Sequence, residues 1–67
     1  MDRIKELTQE LQTAVGKEKV ITMNKLAFAY YHSDPVKTKE LAEEALELAT
    51  QQNFQLGIAT AYNNIGV

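Results

Sequence analysis

The chain has 67 residues, no cysteine and a formal net charge of −2. Without cysteine there is no disulfide or thiolate metal site to staple a small domain. The Lys and Arg residues are dispersed rather than clustered as a nucleic-acid surface requires, and no apolar run approaches the ~20 residues that span a bilayer. One small domain is therefore the ceiling. A chain of this length buries only ~60% of the surface it exposes when unfolded, so it relies on close helix packing or on association. Met1 to Lys5 lacks the apolar core of a signal peptide, and the expected setting is soluble and cytoplasmic.

Four helices are predicted in chain order. The first covers Asp2 to Val15, where Ile4, Leu7, Leu11, Ala14 and Val15 fall on one stripe at helical spacing and Lys5, Glu6, Gln9, Glu10 and Gln12 lie mostly outside it. Gly16 is the expected stop, because glycine takes the left-handed conformation that closes a helix. The second helix covers Lys17 to His32. Val20, Met23, Leu26, Ala27 and Tyr30 make its core stripe, with Ile21, Asn24, Lys25, Phe28, Tyr31 and His32 almost opposite.

Ser33-Asp34-Pro35 is the sharpest local signal. Proline at the first helical position gives up no hydrogen bond, and it holds the preceding aspartate in the extended region that an N-cap needs. The third helix accordingly runs from Pro35 to Gln52. Its packing stripe is Leu41, Ala42, Ala45, Leu48 and Ala49, with Leu46 on the flank and Glu40, Glu43, Glu44 and Glu47 on the polar side. Asn53 marks a second turn, since asparagine tolerates the left-handed conformation. The fourth helix covers Gln55 to Val67, with Ile58, Ala59, Tyr62, Ile65 and Gly66 on one face and Thr60, Asn63, Asn64 and Val67 on another. The chain is expected to be all-α.

A pattern repeats across these helices. Met23-x-x-Leu26-Ala27-x-x-Tyr30 is followed by Leu41-Ala42-x-x-Ala45-Leu46, and Tyr62-x-x-Ile65-Gly66 restarts the pattern 39 residues after Met23. A fixed period in this range marks stacked helix-turn-helix repeats, units that cannot bury their apolar faces alone. The expected organisation is a packing helix over residues 1–16, one full repeat over 17–53 and the first helix of a second repeat over 54–67. The incomplete second repeat leaves Ile58, Tyr62, Ile65 and Gly66 without cover on one side. Burying one large apolar side chain is worth ~1.5–3 kcal/mol, so this edge is expected to self-associate, by helix exchange or across a two-fold axis.

These residues resemble the tetratricopeptide repeat (TPR) family. Met23, Leu26, Ala27 and Tyr30 match the large, leucine-like, small and aromatic positions of the family's first helix; Tyr62, Ile65 and Gly66 match them again; Ala45 and Leu46 resemble the alanine-leucine pair of its second helix. Thr38 stands where an alanine is expected, and the 39-residue period exceeds the common ~34. Extended repeats with a Leu56-Gly57-Ile58-Ala59 opening look like those in the sensory regions of bacterial histidine kinases, nucleotide cyclases and transcriptional regulators. The resemblance covers Val20 to Val67. It implies an antiparallel α-solenoid segment that acts as a protein-interaction scaffold, with protein or peptide partners, no catalysis and no cofactor. The groove positions it implies are Asn24, Lys25, Phe28, Tyr31, Thr60, Asn63 and Asn64. Asn64 resembles one asparagine of the family's carboxylate clamp, but Phe28 takes the place of another, so no clamp is expected.

Competing readings are less economical. His32 is the sole histidine and has no cysteine to join it as a metal ligand; it reads as a helix-end residue beside the last carbonyls. Glu40 to Glu47 lack a metal-binding loop or a carboxylate–histidine motif and read as a solvated face. Asparagine costs roughly 0.7 kcal/mol against alanine within a helix, so Asn24, Asn63 and Asn64 imply a use, either in the groove or in hydrogen bonds between helices. Ile4, Leu7, Leu11 and Val15 span only two heptads without a basic polar side, so packing on the second helix is simpler than a coiled coil or a membrane surface.

Overall fold

The computed structural model describes residues 2–66 and contains four helices and, among those residues, no strand: α1 (Arg3–Thr13), α2 (Gly16–Ala29), α3 (Pro35–Gln51) and α4 (Gln55–Gly66). The predicted extension of the last helix to Val67 lies outside the described residues. Successive helices run antiparallel through short turns. α1 packs on α2 alone, α2 on α1, α3 and α4, and α3 on both α2 and α4.

Each turn has a local cause. The Asp2 carboxylate caps α1 by accepting from the backbone N–H of Ile4 at 3.1 Å and of Lys5 at 3.4 Å. α1 ends two residues earlier than predicted. Ala14 turns extended, and Val15 becomes the N-cap of α2 with 77% of its surface exposed, so it leaves the predicted stripe. Gly16 does adopt a positive φ of 59°, but it opens α2 instead of closing α1. α2 ends at Ala29, short of the predicted His32. The Tyr30 carbonyl accepts from the N–H of both Ser33 and Asp34, which closes a tight turn where a further helical turn was expected.

Asp34 and Pro35 behave as their chemistry requires. The Asp34 carboxylate accepts from the Lys37 N–H at 3.2 Å, and Pro35 is the first residue of α3. At the far end of α3, Asn53 takes φ 57°, its N–H donates to the Thr50 carbonyl, and the Phe54 N–H reaches back to the Ala49 carbonyl at 2.8 Å. This is the paired closure of a Schellman motif. Gln52 adds a tie across the fold, its Nε2 donating to the Gly16 carbonyl at 3.2 Å, while the Lys17 ammonium sits 5.4 Å from the centre of the Phe54 ring.

The core is thin and built on small residues. Leu7, Val20, Met23, Leu26, Ala27, Ala42, Ala45, Ala49 and Ala61 are its buried apolar side chains, and only Leu7 and Val20 are both large and fully enclosed. The molecule measures 32 × 27 × 14 Å, so no side chain lies far from solvent. Alanine at Ala42, Ala45 and Ala49 lets α3 approach α2 and α4 closely. Thr38, at the site where an alanine was expected, is buried, and its hydroxyl donates to the Ala27 carbonyl at 2.8 Å. It thereby couples the start of α3 to the end of α2.

α4 docks by a face different from its most apolar one. Gly57, Ala61 and Asn64 are buried, whereas Ile58 and Ile65 are half-buried and Ala59, Tyr62 and Gly66 exposed. Gly57 is the point of closest approach. A Cβ built there would lie 2.6 Å from Val20 Cγ1, 2.8 Å from Phe54 Cδ2 and 3.1 Å from Ala49 Cβ. Gly66, the small residue singled out by the sequence pattern, has nothing within 4 Å of the same position; no helix crosses α4 there.

Candidate functional site

A groove of about 1070 Å³ runs between α2 and α4. Its floor includes Asn24 and Gly57, its sides carry Ile21, Lys25 and Phe28 from α2 and Leu56, Thr60, Asn63 and Asn64 from α4, and the start of α1 (Asp2, Arg3, Ile4) completes the lining. Phe28 and Leu56 are each 68% exposed; Val15, Val36 and Tyr62 are exposed to a similar degree elsewhere on the surface, and what sets the pair apart is that both line one concavity.

Six of the seven groove residues named from the sequence line this surface: Asn24, Lys25, Phe28, Thr60, Asn63 and Asn64. Tyr31 is outside the lining. It stands in the turn after α2 and stacks on Phe28, ring centres 6.4 Å apart and planes 5° from parallel. On its other side His32 meets it edge-on at 4.8 Å. The three rings form a continuous aromatic rim in which Tyr31 and His32 steady Phe28.

The asparagines divide into two kinds. Asn24 and Asn64 are buried and engaged with one another: Asn64 Nδ2 donates to both the backbone carbonyl and the Oδ1 of Asn24, each at 3.2 Å, and Asn24 Nδ2 donates to the Gly57 carbonyl at 3.3 Å. Their amides therefore hold α4 on α2, which is the inter-helix alternative raised by the sequence. Asn63 is exposed. Because Asn64 Nδ2 already faces Asn24, it is not available as a clamp donor.

Charge around the groove is modestly positive. Arg3 and Lys25 contribute two cations, and the carboxylate of Asp2 is already occupied by the first N–H groups of α1. The glutamates of α3 (Glu40, Glu43, Glu44 and Glu47) are exposed and none of them reaches the groove.

Sequence reasoning missed the contribution of α1, whose first residues line the groove although nothing in their pattern distinguishes them from a solvated helix start. It also missed Gly57. The available signal was its cost: glycine within a helix gives up ~1 kcal/mol against alanine, and such a residue near the start of a helix asks for a packing reason. Among the described residues no helix is long and apolar enough to cross a membrane. No family model, curated protein or solved structure matches this chain.

Proposed function

We propose that this chain is a non-catalytic protein-interaction and assembly module of the tetratricopeptide-repeat type. It takes a short protein segment in the groove between α2 and α4 and associates with further copies through Ile58, Tyr62, Ile65 and Gly66. The observation that carries the reading is the groove itself, an open and largely apolar channel whose walls expose Phe28 and Leu56 to solvent. Large exposed apolar side chains gathered in one concavity mark a binding surface more often than scattered ones do. Lys25, Thr60 and Asn63 line the same channel and supply polar groups to set the direction of a bound segment.

The test is to pan the chain against a library of random 12-residue peptides and to map a selected peptide by NMR chemical-shift perturbation. Shifts confined to Ile21, Lys25, Phe28, Leu56, Thr60 and Asn63 are expected. Phe28→Glu is expected to abolish them while leaving the helical circular dichroism unchanged, because Phe28 is mostly exposed. Failure to select any peptide, or shifts that map to the glutamate face of α3, would reject the groove as the binding surface.

A further inference from the structure

The two ridges that flank the groove are alike in spacing. Ile21, Lys25 and Phe28 on α2 and Leu56, Thr60 and Asn63 on α4 line it at the same four-then-three intervals, the row of side chains that a helix presents along one edge. Between the ridges, Asn24 hydrogen-bonds to Gly57 and Asn64 and so joins the two helices at the floor. The lining runs from Ile21 to Ala29 on α2 and from Leu56 to Asn64 on α4, a trough of ~13 Å at 1.5 Å per residue.

Backbone chemistry limits what can lie there. An extended segment brings an N–H and a C=O with nearly every residue, and these need partners once water is displaced. Among the described residues no strand edge supplies them, and the polar side chains at hand are already committed. Asn24 Nδ2 donates to the Gly57 carbonyl, Asn64 Nδ2 donates to Asn24, and the Thr60 hydroxyl donates to the Leu56 carbonyl. A helix satisfies its own backbone, and two helical ridges with a trough between them are a shape into which a third helix packs.

Charge limits its composition. Arg3 of α1, Lys25 of α2 and His32 in the turn after α2 all line the groove, and α1 packs on α2 alone, so these groups share one side. The opposite wall, α4, holds no Asp, Glu, Lys, Arg or His. Among the described residues the one carboxylate in the lining is that of Asp2, which accepts from the first N–H groups of α1 and so faces the positive end of that helix. Cations on one wall, uncharged polar groups on the other and Ile21, Phe28 and Leu56 between them complement a helix whose apolar stripe has carboxylates along one flank.

We infer that the occupant of the groove is an acidic amphipathic helix of another protein, two to three turns long. Its apolar stripe lies on Ile21, Phe28 and Leu56, and its carboxylates face Arg3 and Lys25. This rests on the groove reading above and goes further by fixing the occupant's backbone conformation, the sign of its charge and the side on which that charge lies.

Four synthetic peptides of about 12 residues, long enough for three turns, test it by NMR titration. Three share one leucine stripe and a solvent-side cross-link that holds the helix, and carry Glu, Gln or Lys on one flank. The fourth has the Glu sequence without the cross-link and with a central proline, which breaks a helix. The Glu peptide is expected to shift Lys25, Phe28, Leu56 and Thr60 and to bind about tenfold more tightly than the Lys peptide at low salt, two exposed attractions having given way to two repulsions. The gap should close toward about 1 M salt, where the Debye length is ~3 Å. Arg3→Glu with Lys25→Glu should reverse the order with unchanged circular dichroism, both side chains being exposed. The proline peptide should bind at least about tenfold more weakly than its cross-linked parent. Equal affinities for the Glu, Gln and Lys peptides would overturn the charge assignment while the groove reading stands. A proline peptide as tight as its parent would overturn the helical occupant. If none of the four binds, the acidic helix is overturned, and a library-selected peptide that still shifts the groove residues shows that the groove reading survives it.

Discussion

Replacing Gly57 by alanine sets two opposed effects against each other, and the structure says which prevails. Alanine is the better helix former by ~1 kcal/mol, so at an open helical site the change stabilises. Here the new Cβ would come within 2.6 Å of Val20 Cγ1, 2.8 Å of Phe54 Cδ2 and 3.1 Å of Ala49 Cβ, against ~3.5–4.0 Å for a comfortable carbon contact. The Phe54 ring can rotate away. Val20 is held to one χ1 rotamer in a helix, and Ala49 Cβ is fixed to the α3 backbone, so α4 itself must move. Overpacking of this kind costs ~1–3 kcal/mol. The shift also stretches the bond from Asn24 to the Gly57 carbonyl, a contact worth ~0.5–1.5 kcal/mol. The balance is a net loss of about 0.5–3.5 kcal/mol, or a fall in Tm of roughly 4–8 °C per kcal/mol for a domain of this size. Urea denaturation followed by circular dichroism measures it. Gly66→Ala is the matched control, since its Cβ meets nothing, and is expected to be neutral or slightly stabilising. The double substitution Val20→Ala with Gly57→Ala should cost less than the sum of the single changes. If Gly57→Ala raised stability as much as helix propensity alone allows, α4 would not rest on Val20 and Ala49 and the packing argument would fail.

Two further substitutions read the buried hydrogen bonds. Thr38→Val keeps shape but removes the donor to the Ala27 carbonyl, and should lower stability by about 1 kcal/mol in the same denaturation assay; no change would mean that the hydroxyl does not couple α2 to α3. Asn64→Leu leaves Asn24 Oδ1 buried without its donor and should cost ~1–3 kcal/mol, whereas Asn24→Leu with Asn64→Leu should recover most of that loss, because removing both partners of a buried bond is far cheaper than removing one. Additive losses in that pair would show that the two amides act independently.

What could be read in the sequence was whatever is decided locally. Asp34-Pro35 specifies a cap within four residues, and Asn53 tolerates the left-handed turn on its own, so both were legible and both occur as read. Helix periodicity gave the number of helices and Val20, Met23, Leu26 and Ala27 of the α2 stripe; Tyr30 stands beyond the helix half-buried, and Thr22 and Asn24 are buried in addition. What depends on a neighbour was harder. Ala14 and Val15 continue the α1 stripe in spacing, and only the demand of the next helix for an extended N-cap removes Val15 from it. On α4, hydrophobicity pointed to Ile58, Tyr62 and Ile65, but close approach selected the small residues Gly57 and Ala61 together with Asn64. The paired use of Asn24 and Asn64 was invisible for the same reason. A period of 39 matches Asn24 with Asn63, whereas the residue that bonds to it is Asn64, 40 positions away. The groove positions came from the family resemblance and not from any local rule, and six of the seven line the channel; the part played by α1 depends on how it crosses α2.

The way α4 is held also ties binding to stability. α2 buries Val20, Thr22, Met23, Asn24, Leu26 and Ala27, but α4 buries only Gly57, Ala61 and Asn64, none of them a large apolar side chain. α4 therefore buries less apolar side chain of its own than α2 does, and its opening is cheaper than that of α2. Since the groove is shared between α2 and α4, opening α4 destroys it, and any segment bound there must oppose that opening. A peptide at 100 times its Kd stabilises the closed form by ~2.7 kcal/mol, which is about a hundredfold slowing of exchange through α4 opening. Amide hydrogen exchange tests the chain of reasoning directly. In the free chain the α4 amides should exchange well before those of Val20 to Ala27, and a saturating groove peptide should slow them by about two orders of magnitude. Equal protection of α2 and α4 without ligand would mean that the two amide bonds and the Gly57 contact hold α4 as firmly as a full apolar interface holds α2, and the groove would then be a rigid surface, uncoupled from the opening of its own wall.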